Sequence, residues 1–305
     1  MTGLWYALLG LLFAAYFGLA GLDYGVGMLA RHLGRDEREK RLALATVGPF
    51  FLGNEVWLVA AIGAMFGAFP LMEGEFLGSR PVLFAVLLCG LVAFTAAVQL
   101  RSRGKNVGAF DAVIALGALV TVIGWGAVLG EVLQDDGGLP NWFSLLCGLV
   151  LAVLALLHGA AFLAWRGTPE LKARAKGVLS AGTLPALIGV ALVTVTGIFT
   201  VDVAQPIVLI AGAVVIAGAV LLAGRSSRAG LALTGSAAAI TLPVLVIGLA
   251  KLPYVAGHLT VAQAATGEDA LTLLTIAAAP MVPVLLAFQA VTWWLWRRRA
   301  TPLFY

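Results

Sequence analysis

FTVDVA, residues 199–204, decides how many times this chain crosses a membrane. Apolar runs lie on both sides, over 178–199 and 204–223, and only Thr200 to Val203, with Asp202, separates them. If those residues turn the chain, the runs are two spans; if they do not, the runs are one long helix. Working outward, polar breaks divide the rest into runs at 4–29, 43–69, 81–100, 111–133, 142–165, 230–250 and 270–296. Each is near the ~20 residues that a helix needs to cross a bilayer.

Lys and Arg choose between the counts. Arg31, Arg35, Arg38, Lys40 and Arg41 follow the first run, and Arg101, Arg103 and Lys105 follow the third. Arg166, Lys172, Arg174 and Lys176 follow the fifth, Arg225 and Arg228 the seventh, and Arg297, Arg298 and Arg299 the ninth. With nine spans, all of the chain's 19 basic residues but Arg80 and Lys251 fall on one side. Fusing the sixth and seventh runs moves Arg225, Arg228 and the C-terminal arginines to the wrong face. Basic loops stay cytoplasmic, so the N-terminus is expected outside and the C-terminus inside. Glu73, Glu75, Asp135, Asp136, Asp202, Glu268 and Asp269 lean to the outer side.

Composition agrees. The chain has 305 residues, 61% hydrophobic and 11% charged, with mean hydropathy +1.02; a soluble domain carries roughly 25% charged residues. A β-barrel needs alternating polarity, which is absent. The expectation is an all-α polytopic membrane protein, one integral-membrane domain over 1–305. No extramembrane segment is long enough for a catalytic head, no sequence repeat stands out, and residues 1–20 lack the basic start of a cleavable signal peptide. The net charge of +4 sits at loop ends and suggests no nucleic-acid partner. Cys89 and Cys147 lie inside apolar runs and read as small core residues, not a disulfide or metal pair; no CxxC, CxxCH or HExxH occurs.

Charged groups inside spans cost roughly 2.5–3.5 kcal/mol each on insertion scales and mark sites worth attention. Asp23 lies in GLDYGVGML, residues 21–29, near the cytoplasmic end of the first span. It either pairs with Arg31 or caps the helix end. Glu55, in GNEVW at 53–57, reads as an ion-pair partner of a loop arginine. Asp111 and Glu131 read as caps of the fourth span. His158 reads as a hydrogen-bonded link between helices rather than a metal ligand, and His32 and His258 sit in loops. Haem needs axial ligands facing each other, and one intramembrane histidine equips the chain poorly for that. Glycines at 18, 21, 25, 27, 63 and 67 have the spacing that lets helices approach closely. A glycine-loosened, acidic helix end is also what a secondary transporter with a broken first helix uses.

Taken together, the motifs resemble subunit II of the cytochrome bd-type quinol oxidases. GLDYGVGML resembles that family's GFDxGVGML, and RDEREKR (35–41) its charged loop. GPFFLGNEVWL (48–58) resembles GP-x-WDGN-[EQ]-VWL, and GAMFGAFP (63–70) resembles GA-x-F-AAFP. HGAAFLAWRGTPELKARA (158–175) resembles HGA-x-x-L-x-x-RT-x-G, and VPVLLAFQAVTWW (282–294) a looser pattern. The resemblance implies nine helices arranged as two four-helix bundles plus one peripheral helix, in a bacterial or archaeal cell (inner) membrane. It implies a heterodimer with subunit I, which holds haems b and d, oxidises quinol and reduces dioxygen to water. Subunit II carries no catalytic residue, metal or haem of its own; it scaffolds, offers a proton or oxygen path, and in some members holds a structural quinone or lipid.

By alignment, Asp23 and Glu55 are the proton-path candidates and Trp57 the oxygen-access candidate. Gly25, Gly27, Asn54, Arg101 and His158 are structural motif positions. The chain is a divergent member: acids of the family's proton route align with Ala20, Leu52 and Gln99, and an arginine with Phe94. The route therefore falls to subunit I or to Glu55 with water. A structural subunit of a divergent complex is the remaining alternative.

Overall fold

A computed structural model describes all residues except 105, 136–138, 257 and 297–305. The C-terminal arginines, Lys105 and Asp136 thus lie outside the described residues. Among those described, nine helices are long and apolar enough to span a membrane. They are α1 (Thr2–Leu33), α3 (Phe51–Ala68), α5 (Pro81–Leu100), α6 (Val107–Gln134), α7 (Trp142–Arg166), α8 (Pro169–Thr200), α9 (Pro206–Arg225), α10 (Ala229–Lys251) and α12 (Glu268–Leu295). Short pieces connect them: α2 (Glu37–Ala45), α4 (Pro70–Gly78), a 3-10 turn at Arg101–Arg103, strands β1 (Tyr254–Ala256) and β2 (Leu259–Thr260), and α11 (Val261–Ala264).

The break that decides the count is present. α8 stops at Thr200 with Val201 extended, and α9 restarts at Pro206, whose missing N–H and fixed φ suit a first helical turn. Gln205 N–H bonds the Ala250 carbonyl, tying this turn to the end of α10.

The second run departs from its expected 43–69. It is cut into α2 and α3 by a turn over 46–50, where Gly48-Pro49 interrupts the helical pattern. Proline has no N–H to give and disfavours helix at the residue before it. The first helix departs the other way. It runs unbroken through Leu33, so Arg31 and His32 lie on the helix, and the broken first helix of the transporter reading is absent. α8 starts nine residues early, at Pro169, capped by the Thr168 hydroxyl, and carries Lys172, Arg174 and Lys176 on its first turns.

Ion pairs gather at both ends of the helices. Arg101 bonds Asp111 and Glu37, each at 2.7 Å, and Lys40 lies 3.4 Å from Asp111. Arg174 bonds Glu39 at 2.7 Å and reaches the Leu33 carbonyl; that hydrogen bond holds the Glu39 carboxyl down at about 2. These contacts fasten α2 to α5, α6 and α8. At the opposite end Arg80 meets Glu131 at 3.9 Å and its backbone oxygen at 3.2 Å, while Lys251 pairs with Asp135. Arg80 and Lys251, the two exceptions to the charge rule, are therefore buried and neutralised. Asp111 and Glu131 are ion-pair partners one turn inside α6, not its caps. Its N-terminus is capped by the Asn106 side chain, which accepts from Ala109 N–H, because that position precedes the first helical residue.

α1 is the central element, packed on α3, α6, α7 and α10. α5 lies on α6, α7 between α6 and α8, and α9 between α8 and α10. α12 stands apart, mostly exposed, and touches α3. Two small residues differ from expectation. Cys89 faces outward from α5, and a Cβ added at Gly63 would meet nothing within 4 Å, so neither is a packing position. Every face of an all-apolar helix looks alike in sequence, which is why the inner face is not readable there.

Candidate functional site

Gly25 fixes the closest helix crossing. A Cβ there would lie 2.2 Å from the Ala155 carbonyl and 2.7 Å from Gly159 N, and a Cβ on Gly159 would lie 2.2 Å from the Gly25 carbonyl carbon. α1 and α7 are thus in backbone contact. Gly27 makes room for Phe94, whose ring edge would be 2.7 Å from an added Cβ. Phe94 packs in turn on Tyr24 (5.1 Å) and Phe51 (5.5 Å). Lipid tails are as apolar as the helices, so close packing and interhelical hydrogen bonds supply the cohesion.

Asp23 on α1 and Glu55 on α3 lie at the contact between those two helices. Asp23 is fully buried and accepts from Asn54 Nδ2 at 2.9 Å. Arg31 does not reach it, and the helix does not end there, so neither structural expectation for Asp23 holds. Asn54 also donates to the Leu19 carbonyl at 3.1 Å and accepts from Gln289 Nε2 of α12 at 3.3 Å. Gln289 accepts the Trp57 indole N–H at 3.3 Å. Glu55 is half-buried and takes the Tyr24 hydroxyl at 3.0 Å instead of a loop arginine. Tyr24 lies 2.7 Å from the Tyr16 hydroxyl, which accepts the Trp125 indole N–H at 3.1 Å. Among the described residues, neither Asp23 nor Glu55 has a cation within 4 Å.

His158 uses both ring nitrogens, Nδ1 to Ser236 Oγ at 2.9 Å and Nε2 to the Gly18 carbonyl at 2.8 Å. It links α7 to α10 and α1, and with both nitrogens engaged it does not fit as an axial haem ligand. No group of three or more His, Cys, Asp or Glu side chains placed to hold a metal occurs among the described residues. Arg101 is a buried ion-pair centre, away from the acids of α1 and α3. Of the positions aligned with missing acids, Leu52 and Gln99 point outward and Ala20 is buried. Sequence reasoning missed Tyr16, Trp125 and Gln289. Tyr16 and Tyr24 are two turns apart on one helix face, but nothing local marks Trp125 or Gln289 as their neighbours.

At the other end of α1, an apolar cavity of about 770 Å³ opens between α1, α6 and α10, lined by Tyr6, Phe13, Trp125, Val132 and Leu245 among others.

A profile of the family described as cytochrome bd terminal oxidase subunit II matches residues 1–296. The chain belongs to that family. It is similar to cytochrome bd ubiquinol oxidase subunit 2 of Bacillus subtilis (strain 168), 28% identical over 98% of this chain and 96% of that one. It is similar also to cytochrome bd-I ubiquinol oxidase subunit 2 of Escherichia coli (strain K12), 26% identical over 95% and 93%. In fold it resembles a chain of the bd oxidase from Geobacillus thermodenitrificans, with TM-score 0.78 and 17% identity over 96% and 98% of the two chains. The family takes the place of the transporter alternative.

Proposed function

We propose that this chain is the haem-free subunit II of a membrane oxidase that couples quinol oxidation to reduction of dioxygen to water. The match over residues 1–296 carries the reading. The haems belong to subunit I, against which this chain forms a heterodimer in a cell membrane. The helices form two bundles, from α1, α3, α5 and α6 and from α7 to α10, with α12 peripheral. The cation-rich loops support a cytoplasmic face for the Arg101 end and an N-terminus outside.

Glu55 is the proton-path group, since it combines a partly buried side chain with a hydroxyl partner inside the bundle. Asp23, fully buried behind Asn54, serves as its inner neighbour. Trp57 stands at the oxygen-access position, held by Gln289 on α12. The apolar cavity takes a lipid or quinone tail, its lining matching a hydrocarbon chain in character.

Affinity purification through this chain is expected to bring down a haem-bearing membrane subunit, with quinol-driven oxygen uptake and an apolar-tailed molecule detectable by mass spectrometry. Absence of a haem partner sinks the reading. In that complex E55Q is expected to slow turnover about 100-fold or more, the low end of the usual range for removing a proton-transfer group; unchanged turnover takes Glu55 off the path. W57F is expected to raise the KM for oxygen while leaving kcat at saturating oxygen alone. An unaltered KM removes Trp57 from oxygen access.

A further inference from the structure

The two acids terminate two matching strings of hydrogen bonds. One runs Trp125, Tyr16, Tyr24, Glu55; the other runs Trp57, Gln289, Asn54, Asp23. Each starts at an indole N–H, and that group can donate but has no lone pair with which to accept. Tyr24 gives its single O–H to Glu55, so the proton between the two phenols comes from Tyr16, while the Tyr16 oxygen accepts from Trp125. In the second string Trp57 requires the Gln289 oxygen, which turns the amide nitrogen toward Asn54. The Leu19 carbonyl independently requires the Asn54 nitrogen on its side, the same side as Asp23.

A chain that conducts protons must accept at one end while it gives at the other. Both strings begin with a group unable to accept. We infer that Tyr24 and Tyr16 are positioning residues that hold the Glu55 carboxyl at the end of a one-way set of donors, and that Glu55 exchanges its proton on its exposed side, not through the core of this chain. The inference rests on the reading of Glu55 as the proton-path group.

The surroundings agree. Tyr16 is locked edge-on against Trp125 (5.6 Å) and Phe17 (5.7 Å), and Tyr24 against Phe94 (5.1 Å), so neither ring is free to swing its hydroxyl elsewhere. The cavity beside the two rings, lined also by Val122, Leu151 and Ile240, is about 10 Å³; one water needs roughly that much, and several polar partners besides. No row of waters fits past Tyr16. On the outer side, by contrast, Glu55 is flanked along α3 by Leu52 (64% exposed) and Val56 (40% exposed), which open onto the surface of the chain.

The test uses Y24F, Y16F and E55Q in the intact purified complex, with the reduced-minus-oxidised haem spectrum checked for integrity. Infrared difference spectroscopy identifies the residue 55 carboxyl as the C=O band lost in E55Q. Y24F is expected to move that band to higher frequency and to lower turnover about 10-fold, the weight of one hydrogen bond to a carboxylate. Y16F leaves the Tyr24 hydroxyl on Glu55 and is expected to change turnover by less than about 3-fold, the effect of a contact one bond removed. Y16F slowing turnover as deeply as E55Q would mean that protons pass along the string, and overturns the inference. A band unmoved in Y24F overturns it as well. If E55Q leaves turnover intact, the proton reading fails on its own, and the band in Y24F and Y16F still decides whether the tyrosines position the carboxyl.

Discussion

Replacing Arg101 with methionine is expected to destabilise the chain by about 3–5 kcal/mol, because it leaves a buried carboxylate without its main partner. Arg101 is 2% exposed and bonds both Asp111 and Glu37 at 2.7 Å. Once the guanidinium is gone, Asp111 keeps only Lys40 at 3.4 Å, and Lys40 is itself partly in solvent. Glu37 lies in the open and tolerates the loss. The damage should therefore concentrate on the α5–α6 hairpin and on α2, which the pair staples to it. Thermal unfolding of the detergent-purified complex measures the effect. The double replacement R101M/D111L should recover much of it, since removing both charges avoids a stranded ion. A single variant within about 1 kcal/mol of the parent contradicts this account of the buried pair.

The second large effect is steric. In G25L, and already in G25A, the new Cβ meets the Ala155 carbonyl at 2.2 Å and Gly159 N at 2.7 Å. These are backbone atoms and have no rotamer with which to yield, so α1 and α7 must separate. Overpacking ordinarily costs about 1–3 kcal/mol, and a backbone collision belongs at the top of that range or above it. Separation would also stretch the His158 bond to the Gly18 carbonyl, which spans the same seam. G63A is the control: that position meets nothing, and alanine gains about 1 kcal/mol of helix propensity over glycine. The yield of assembled complex should fall for both Gly25 variants and hold for G63A. Equal yields would place the close approach elsewhere.

What can be read in advance follows the physics of each signal. The nine apolar helices among the described residues are legible because apolar length and the placement of cations are local properties of the chain, and the turn expected at Thr200–Val203 falls at 201–205. The division of the second run is not legible from hydropathy: Gly48-Pro49 carries the information, but an apolar average hides it. The acids are legible as unusual; their partners are not. Asp23 meets Asn54 and Glu55 meets Tyr24 through tertiary packing, and Trp125 lies 109 residues from Tyr16. Asp111 and Glu131 read wrongly as caps because a carboxylate near a helix end serves equally well as an ion-pair partner. Only packing shows that Arg101 and Arg80 come within reach.

The backbone seam between Gly25 and Gly159 also sets an order of assembly. α1 is synthesised first, yet the surfaces that fit it belong to α6, α7 and α10, and Gly159 follows Gly25 by more than a hundred residues. During translation α1 waits in the bilayer among lipids, its one acid, Asp23, at first without its later neighbour Asn54, until the fifth span arrives to clasp it. Long-range closures of this kind come late and slowly, so a ribosome stalled before α7 would leave the first helices loosely held and open to membrane proteases.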